Sequence, residues 1–111
     1  GRSVDLLRIC AEETDLGAIN PLEPPPMGDV DLSEVKKDFG GTLALMGNLH
    51  TTDVMLRGSK QDVIEAARKA IEDASGKGGF ILSTGDQCGR DTPDENLFAM
   101  VEAAEKHGWY L

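Results

Sequence analysis

Apolar residues follow two alternating patterns along the chain, helical spacing and short unbroken runs. Helical spacing with capping residues or glycines at its ends predicts four helices, at residues 3–16, 31–40, 59–74 and 92–108. Short apolar runs predict three strands, at residues 18–22, 42–46 and 80–82, and their lack of polar alternation predicts burial on both faces of the sheet. The predicted order is helix, strand, helix, strand, helix, strand, helix.

All four predicted helices begin at capping residues, the first of them at Ser3. Asp31 and Glu34 have the spacing of a capping box, and Ser59 directly precedes the long apolar stripe of the third helix. The last helix begins at Thr92-Pro93-Asp94-Glu95, which combines a capping Thr, a Pro at the first helical position and a Glu three residues after the cap. We therefore expect the last helix to be capped by Thr92.

Apolar strands that alternate with amphipathic helices favour an α/β fold with parallel strands. A chain of 111 residues has room for one domain, which we place at residues 1–111. Three parallel strands leave two edges unpaired, which is costly for apolar strands. The sequence therefore predicts part of a larger sheet or barrel, either cut from a longer chain or completed by another copy.

Composition and charge exclude several classes of partner. Hydrophobic residues make up 40% of the chain and charged residues 28%, which is typical of a folded domain. Twenty acidic residues against eleven basic ones give a net charge of −9, so we expect no nucleic-acid partner and no anionic membrane partner. No apolar run approaches the roughly 20 residues of a membrane span, and no apolar signal segment opens the sequence. We expect a cytoplasmic protein whose two cysteines are reduced.

Polar side chains follow each predicted strand, and the carboxyl ends of parallel strands open on one face where ligands bind. The candidates are Glu23 after the first strand, Asn48 and His50 after the second, and Asp86, Gln87 and Cys88 after the third. Glu23 could be a base, a ligand or a solvated carboxylate. His50 could donate to an anion or cap a short helix that begins near Thr51. Cys88 could ligate a metal, act as a nucleophile or have no role.

The loops as a set resemble the C-terminal part of the uroporphyrinogen decarboxylase superfamily. The matching motifs are Asn20-Pro21-Leu22-Glu23-Pro24-Pro25-Pro26-Met27-Gly28-Asp29-Val30-Asp31-Leu32, Gly47-Asn48-Leu49-His50, Gly79-Phe80-Ile81-Leu82-Ser83-Thr84-Gly85 and Asp91-Thr92-Pro93-Asp94-Glu95-Asn96. The family fold is a (βα)8 barrel, so the resemblance implies the last three βα units of that barrel with one preceding helix.

The superfamily includes two chemistries. Uroporphyrinogen decarboxylases act on a tetrapyrrole without a cofactor and carry Gly-His-Gly in the loop after the last strand, where this sequence has Gly85-Asp86-Gln87. Corrinoid-dependent methyltransferases hold zinc with a His-x-Cys after an earlier strand and a Cys in the last loop. Cys88 lies in that loop, slightly offset, and the other two ligands would lie immediately before Gly1. The resemblance therefore implies methyl transfer in preference to decarboxylation.

The roles that we assign follow from that resemblance. We predict that Glu23, Asn48 and Asp86 are catalytic, that His50 and Gln87 contact a cofactor, and that Cys88 is a zinc ligand. The implied methyl donor is a corrinoid, and the implied partner is a small molecule or a corrinoid protein. A different hypothesis is a non-catalytic half-barrel that completes its sheet by self-association.

Overall fold

The computed structural model describes residues 2–109, so Gly1, Tyr110 and Leu111, which belong to the predicted domain, lie outside the described residues. Four α-helices, three strands and one π-helix follow one another in the predicted alternation. They are α1 (Val4–Glu13), β1 (Ala18–Ile19), α2 (Leu32–Phe39), β2 (Ala44–Leu49), the π-helix (Thr51–Leu56), α3 (Lys60–Ala74), β3 (Phe80–Thr84) and α4 (Asp94–His107).

The three strands form one parallel sheet in the order β1-β2-β3. Leu45 pairs in register with Phe80, and both are buried, whereas the next pair, Met46 and Ile81, lies on the other face and is more exposed. The strands are therefore buried on one face only, which corrects the expectation of burial on both. The reason is that α3 packs against β2 and β3 on one face, whereas Ile81 on the other face is 52% exposed.

The ends of β1 and β2 differ from the prediction. The first strand pairs only through Ala18 and Ile19, because Pro21 has no N–H to give to the sheet. Leu22 instead leaves the sheet and packs on Gly47, where an added Cβ would lie 3.3 Å from the Leu22 Cβ. The second strand continues through Gly47 to Leu49, since these residues pair with Leu82, Ser83 and Thr84.

The caps of α2 and α3 match the sequence. The Asp31 carboxylate accepts the backbone N–H groups of Ser33 and Glu34, at 3.0 and 3.2 Å. At the start of α3, Ser59 Oγ accepts the N–H of Asp62, and the Asp62 carboxylate accepts the N–H of Ser59, which completes a reciprocal capping box. Local side-chain chemistry therefore determines where both helices begin.

Two other helix boundaries do not match. The first helix ends at Glu13 because the Thr14 hydroxyl donates to Cys10 O at 2.6 Å and accepts the N–H of Leu16, which turns the chain away. The prediction that Thr92 caps the last helix is wrong, since the cap position is Pro93 and the helix begins at Asp94. Thr92 thus lies one residue outside the cap, and its buried hydroxyl has no hydrogen-bond partner within residues 2–109.

Candidate functional site at the strand ends

The loops that follow the three strands meet at the carboxyl edge of the sheet. Gly85, directly after β3, donates its N–H to Leu49 O at 2.8 Å. A Cβ at Gly85 would lie 3.3 Å from Pro24 Cδ and 3.5 Å from the Glu23 Cα, so the loop after β1 also reaches this point. We call this meeting place, formed by Glu23, Pro24, Leu49 and Gly85, the rim. The predicted convergence of the three loops is present.

The loop after β1 folds back on itself and also binds the start of α1. Glu23 O accepts the N–H of Val30 at 3.1 Å, and Pro24 O accepts the N–H of Gly28 at 3.0 Å. The carboxylate of Asp29 accepts the N–H groups of Ser3 and Val4, at 2.7 and 3.3 Å. Asp29 therefore caps α1 in place of the Ser3 side chain, and the structure positions the first turn of α1 against this loop.

His50, the first residue after β2, caps the π-helix. Its Nδ1 accepts the N–H groups of Thr52 and Asp53, at 3.2 and 3.0 Å. An Nδ1 that accepts two hydrogen bonds carries no proton, so this geometry assigns the ring hydrogen to Nε2. That Nε2 is buried, has no hydrogen-bond partner within residues 2–109 and lies 3.8 Å from Asp53 Oδ2. Of the two roles considered for His50, capping is therefore what the structure shows.

The helix after His50 was expected to be short but not to have this form. Met55 donates its N–H to His50 O and Arg57 donates to Thr52 O, both at 3.0 Å and both across five residues. This wide spacing defines a π-helix, a form that is rare and frequent at functional sites. The side chain of Asn96 from α4 binds its far end. Asn96 was not among the predicted site residues, and its place in the motif Asp91-Thr92-Pro93-Asp94-Glu95-Asn96 is its one signal in the sequence.

A cleft of about 520 Å³ opens between the loop after β1, the end of β2 and α3. Asn48 and His50 line it. The charged residues of the lining are four carboxylates and one ammonium group: Asp29, Asp31, Asp53, Asp73 and Lys69. Their side chains have partners within the fold, since Lys69 Nζ lies 2.6 Å from Asp73 Oδ2 and Asp31 caps α2. The cleft is therefore acidic, but its carboxylates already interact with other groups of the protein.

Two groups of this lining have shifted pKa values. The hydroxyl of Ser33 and the N–H of Glu34 lower the pKa of Asp31 because they hydrogen-bond its charged form. The hydrogen bond and the charge of Asp73 raise the pKa of Lys69. Both groups are therefore charged at neutral pH.

The loop after β3 carries the other candidates. The Thr84 hydroxyl donates to Asp86 O, and the N–H of Gln87 donates to the Asp86 carboxylate, at 2.6 and 2.7 Å. The side chains of Asp86 and Gln87 are exposed, whereas Cys88 is half-buried against the apolar core. Cys10 and Cys88 are both free thiols. Asp86, Gln87 and Cys88 are not among the residues that line the cleft, so the structure divides the candidates into two groups.

The described residues do not form a complete metal site. Within residues 2–109, no group of three or more His, Cys, Asp or Glu side chains lies close enough together to hold a metal ion. A half-buried thiol such as that of Cys88 suits zinc as one ligand, but a tetrahedral site needs further ligands. Cys88 would therefore need partners from outside the described residues.

A protein-family model described as "Uroporphyrinogen decarboxylase (URO-D)" matches residues 28–107. The chain belongs to the uroporphyrinogen decarboxylase family. Within the matched range lie all the candidates except Glu23: Asn48, His50, Asp86, Gln87 and Cys88. The resemblance expected from the loop motifs is thus confirmed at the level of the superfamily.

Among solved structures, a methyltransferase from Methanosarcina mazei is similar to this family member, with a TM-score of 0.67 and 22% sequence identity. The likeness covers 80% of this chain and 24% of the solved one, so the chain spans about a quarter of that structure's length. It confirms the predicted fold class, an α/β portion of a (βα)8 barrel with three parallel strands alternating with helices. No curated protein matches the chain. Among the helices of residues 2–109, none is long and apolar enough to cross a membrane.

Proposed function

We propose that this chain is part of a zinc- and corrinoid-dependent methyltransferase of the uroporphyrinogen decarboxylase superfamily, in which Cys88 is a zinc ligand. The observation that carries the proposal is the free, half-buried thiol of Cys88 in the loop after β3. That loop begins at Gly85, which contacts the end of β2 and the loop after β1 at the rim. Thiolate sulfur is a preferred ligand of zinc, and the superfamily's methyltransferases carry a Cys in the corresponding loop.

The position of α1 supports the proposal that the other zinc ligands precede Gly1 in the sequence. The resemblance implies a His-x-Cys immediately before Gly1. Because Asp29 binds the N–H groups of Ser3 and Val4, the first turn of α1 is held by the loop that forms one side of the rim. Residues that lead into α1 would therefore approach the same side of the sheet as Cys88.

Zinc would supply one function, which is to act as a Lewis acid that keeps an acceptor thiol in its nucleophilic thiolate form. The chain's own residues would supply the rest. Glu23, held between Leu22 and Pro24 at the rim, would accept the proton that the acceptor thiol releases. Asp86 and Gln87, which are exposed beside Cys88, would contact the methyl donor or the corrinoid protein that carries it.

The cleft beside β2 would bind part of the same ligands. Asn48 lines it and offers an amide that can donate and accept hydrogen bonds. His50 accepts two backbone N–H groups at Nδ1, which leaves Nε2 as the ring nitrogen that would donate to an anionic group. We therefore assign substrate or cofactor contacts to Asn48 and His50 and ligation to Cys88.

Decarboxylation is the second candidate, and one observation favours it. The family model that matches residues 28–107 is that of uroporphyrinogen decarboxylase. Against it, Gly85-Asp86-Gln87 stands where the decarboxylases carry Gly-His-Gly, so the imidazole of that loop has no counterpart at this position.

Self-association of a non-catalytic half-barrel is the third candidate. It is favoured by apolar side chains of α4 that are left uncovered, above all Phe98, which is 72% exposed. Sedimentation of the 111-residue chain separates this candidate from the others: a discrete oligomer supports it, and a monomer removes it.

The decisive experiment measures zinc in the purified full-length protein and in two matched variants, Cys88→Ala and Cys10→Ala. Both residues are half-buried free thiols, but Cys10 lies on α1 and not in a strand-end loop. We expect Cys88→Ala to lower the zinc content at least about tenfold and Cys10→Ala to leave it unchanged. Full zinc in Cys88→Ala would remove Cys88 as a ligand. A zinc-free wild-type protein that releases carbon dioxide from uroporphyrinogen would establish decarboxylation instead.

A further inference from the structure

The π-helix that follows β2 is held by side chains at both ends. His50 caps its beginning, and Asn96 from α4 binds its end. The Asn96 Nδ2 group donates to Met55 O and to Gly58 O, both at 2.9 Å. Asn96 is almost wholly buried, with 1% of its surface exposed, so these bonds form away from solvent.

Met55 O lies in the last turn of the π-helix, where backbone oxygens lack partners within the helix itself, and Gly58 O lies two residues beyond the helix, just before the α3 cap Ser59. A π-helix is a rare form that seldom persists without support from its surroundings. The two hydrogens of one amide group satisfy two such oxygens at once, which few other side chains could do in the same space. Asn96 therefore stabilises the end of the π-helix specifically.

The oxygen of the Asn96 side-chain amide makes no comparable hydrogen bond to the π-helix. Its Oδ1 is buried and has no hydrogen-bond partner within residues 2–109. A buried oxygen without a partner is unfavourable for stability, so an apolar residue of similar size would suit the core at this point. The hydrogen bonds to the π-helix are the feature of Asn96 that an apolar residue could not replace.

We propose that Asn96 is a positioning residue that holds the π-helix in register and thereby keeps the His50 ring in one arrangement, with Nδ1 against the backbone and the hydrogen on Nε2. Met55 O, which Asn96 binds, lies five residues beyond His50, and the N–H of Met55 itself donates to His50 O. Without Asn96, Met55 O and Gly58 O each lose a hydrogen bond, and the π-helix can shorten its hydrogen-bond spacing. The N–H groups of Thr52 and Asp53 then leave Nδ1, which becomes free to take the hydrogen.

The consequence for substrate binding rests on the proposed function, in which His50 is a donor to an anionic group. The effect of Asn96 on the π-helix and on the His50 ring is tested independently of substrate binding. Asn96→Leu removes both donors at similar size, and Asn96→Ser keeps one donor. The matched control is Thr92→Val, because Thr92 is also buried near the start of α4 with a hydroxyl that has no hydrogen-bond partner within residues 2–109.

The experiment records nitrogen NMR signals of the His50 ring and amide hydrogen exchange in the full-length protein. We expect widely separated Nδ1 and Nε2 signals in the wild type and in Thr92→Val, and signals that approach each other in Asn96→Leu. Exchange at Thr52 and Asp53 should become at least about tenfold faster in Asn96→Leu, less in Asn96→Ser, and stay as in the wild type in Thr92→Val.

Unchanged ring signals and unchanged exchange at Thr52 and Asp53 in a folded Asn96→Leu protein would overturn the proposal. If that variant does not fold, wild-type values in Asn96→Ser would overturn it equally. The ring signals and the amide exchange depend neither on zinc nor on activity. A negative result in this experiment therefore does not bear on Cys88 as a zinc ligand, and a negative zinc result does not bear on Asn96.

Discussion

The two faces of the sheet differ in how far the chain covers them. On the closed face, Leu45 and Leu49 of β2 pack against the helices and are fully or almost fully buried. On the open face, Ile81 is 52% exposed although it is apolar and pairs with Met46 of the central strand β2. Adjacent residues of the same strands thus have opposite environments. The chain completes one layer of an α/β fold and presents the other face for cover that residues 2–109 do not provide.

The closed face is incompletely covered where α4 lies beside Leu82 of β3, which shares the face of Phe80. Ala99 and Ala103 are buried where α4 contacts α3, whereas Phe98 and Val101 on the same helix are exposed. An apolar groove runs between α4 and the end of the sheet, lined by Leu82, Leu97, Met100, Val101, Ala104 and Glu105. Exposed apolar surface of this kind is what a partial barrel presents where neighbouring units pack.

The two faces should differ most in how far the free energy of unfolding falls when an apolar side chain is shortened to alanine. Leu45→Ala should lower the free energy of unfolding by about 2–5 kcal/mol, because it leaves a cavity in a closed core. Ile81→Ala should lower it by less than about 1 kcal/mol in the 111-residue chain, because the side chain is half-exposed there. Urea unfolding of the two variants measures both values. Equal losses would show that the open face is covered and would break the comparison.

We also expect a methyl group added on the closed face near the rim to lower the free energy of unfolding. Gly47→Ala places a Cβ 3.3 Å from that of Leu22, which is fully buried and has little room to yield, so we expect a loss of about 1–3 kcal/mol. The matched control is Gly17→Ala at the exposed start of β1, where no atom lies within 4 Å of the added Cβ. That change should alter the unfolding free energy by no more than about 0.5 kcal/mol. A tolerated Gly47→Ala would show that Leu22 is loosely packed.

The smallest expected effect concerns the start of the closed-face helix α2 and depends on pH. The hydroxyl of Ser33 and the N–H of Glu34 lower the pKa of Asp31 below its unfolded value of about 4. A lowered folded pKa means that the stabilisation is complete above the unfolded value and is lost as the pH falls through the folded one. Asp31→Asn keeps the cap and removes the charge, so its deficit should be about 0.3–1 kcal/mol at neutral pH and low ionic strength.

That deficit should vanish in acid, when the wild-type Asp31 is itself neutral. Unfolding curves of both proteins between neutral pH and pH values below about 3 measure it. A deficit that stayed constant across this range would mean that the charge of Asp31 does not contribute to the cap.

The sequence predicts the closed half of the molecule better than the details of the site, and the reason is physical. Burial on one face gives α2 and α3 a clear apolar spacing, and Asp31 and Ser59 act through hydrogen bonds within four residues, which sequence spacing can express. Thr92 fails as a cap because a shift of one residue, which the motif does not encode, moves the helix start to Asp94. Boundaries of this kind depend on packing around them.

The least predictable features depend on contacts between distant parts of the chain. Asp29 caps a helix that begins 25 residues earlier, and Asn96 binds carbonyls 38 and 41 residues away. No local pattern marks such pairs. The π-helix depends on one such contact, because Asn96 from another helix binds the carbonyl oxygen of Met55.

The central claim is that the sulfur of Cys88 completes a zinc site at the strand ends, and zinc-edge X-ray absorption of the full-length protein tests it most directly. The method counts sulfur neighbours at about 2.3 Å from the metal. We predict that Cys88→Ser lowers the number of sulfur ligands by one while Cys10→Ser leaves it unchanged. The same sulfur count in Cys88→Ser and in the wild type would contradict the account.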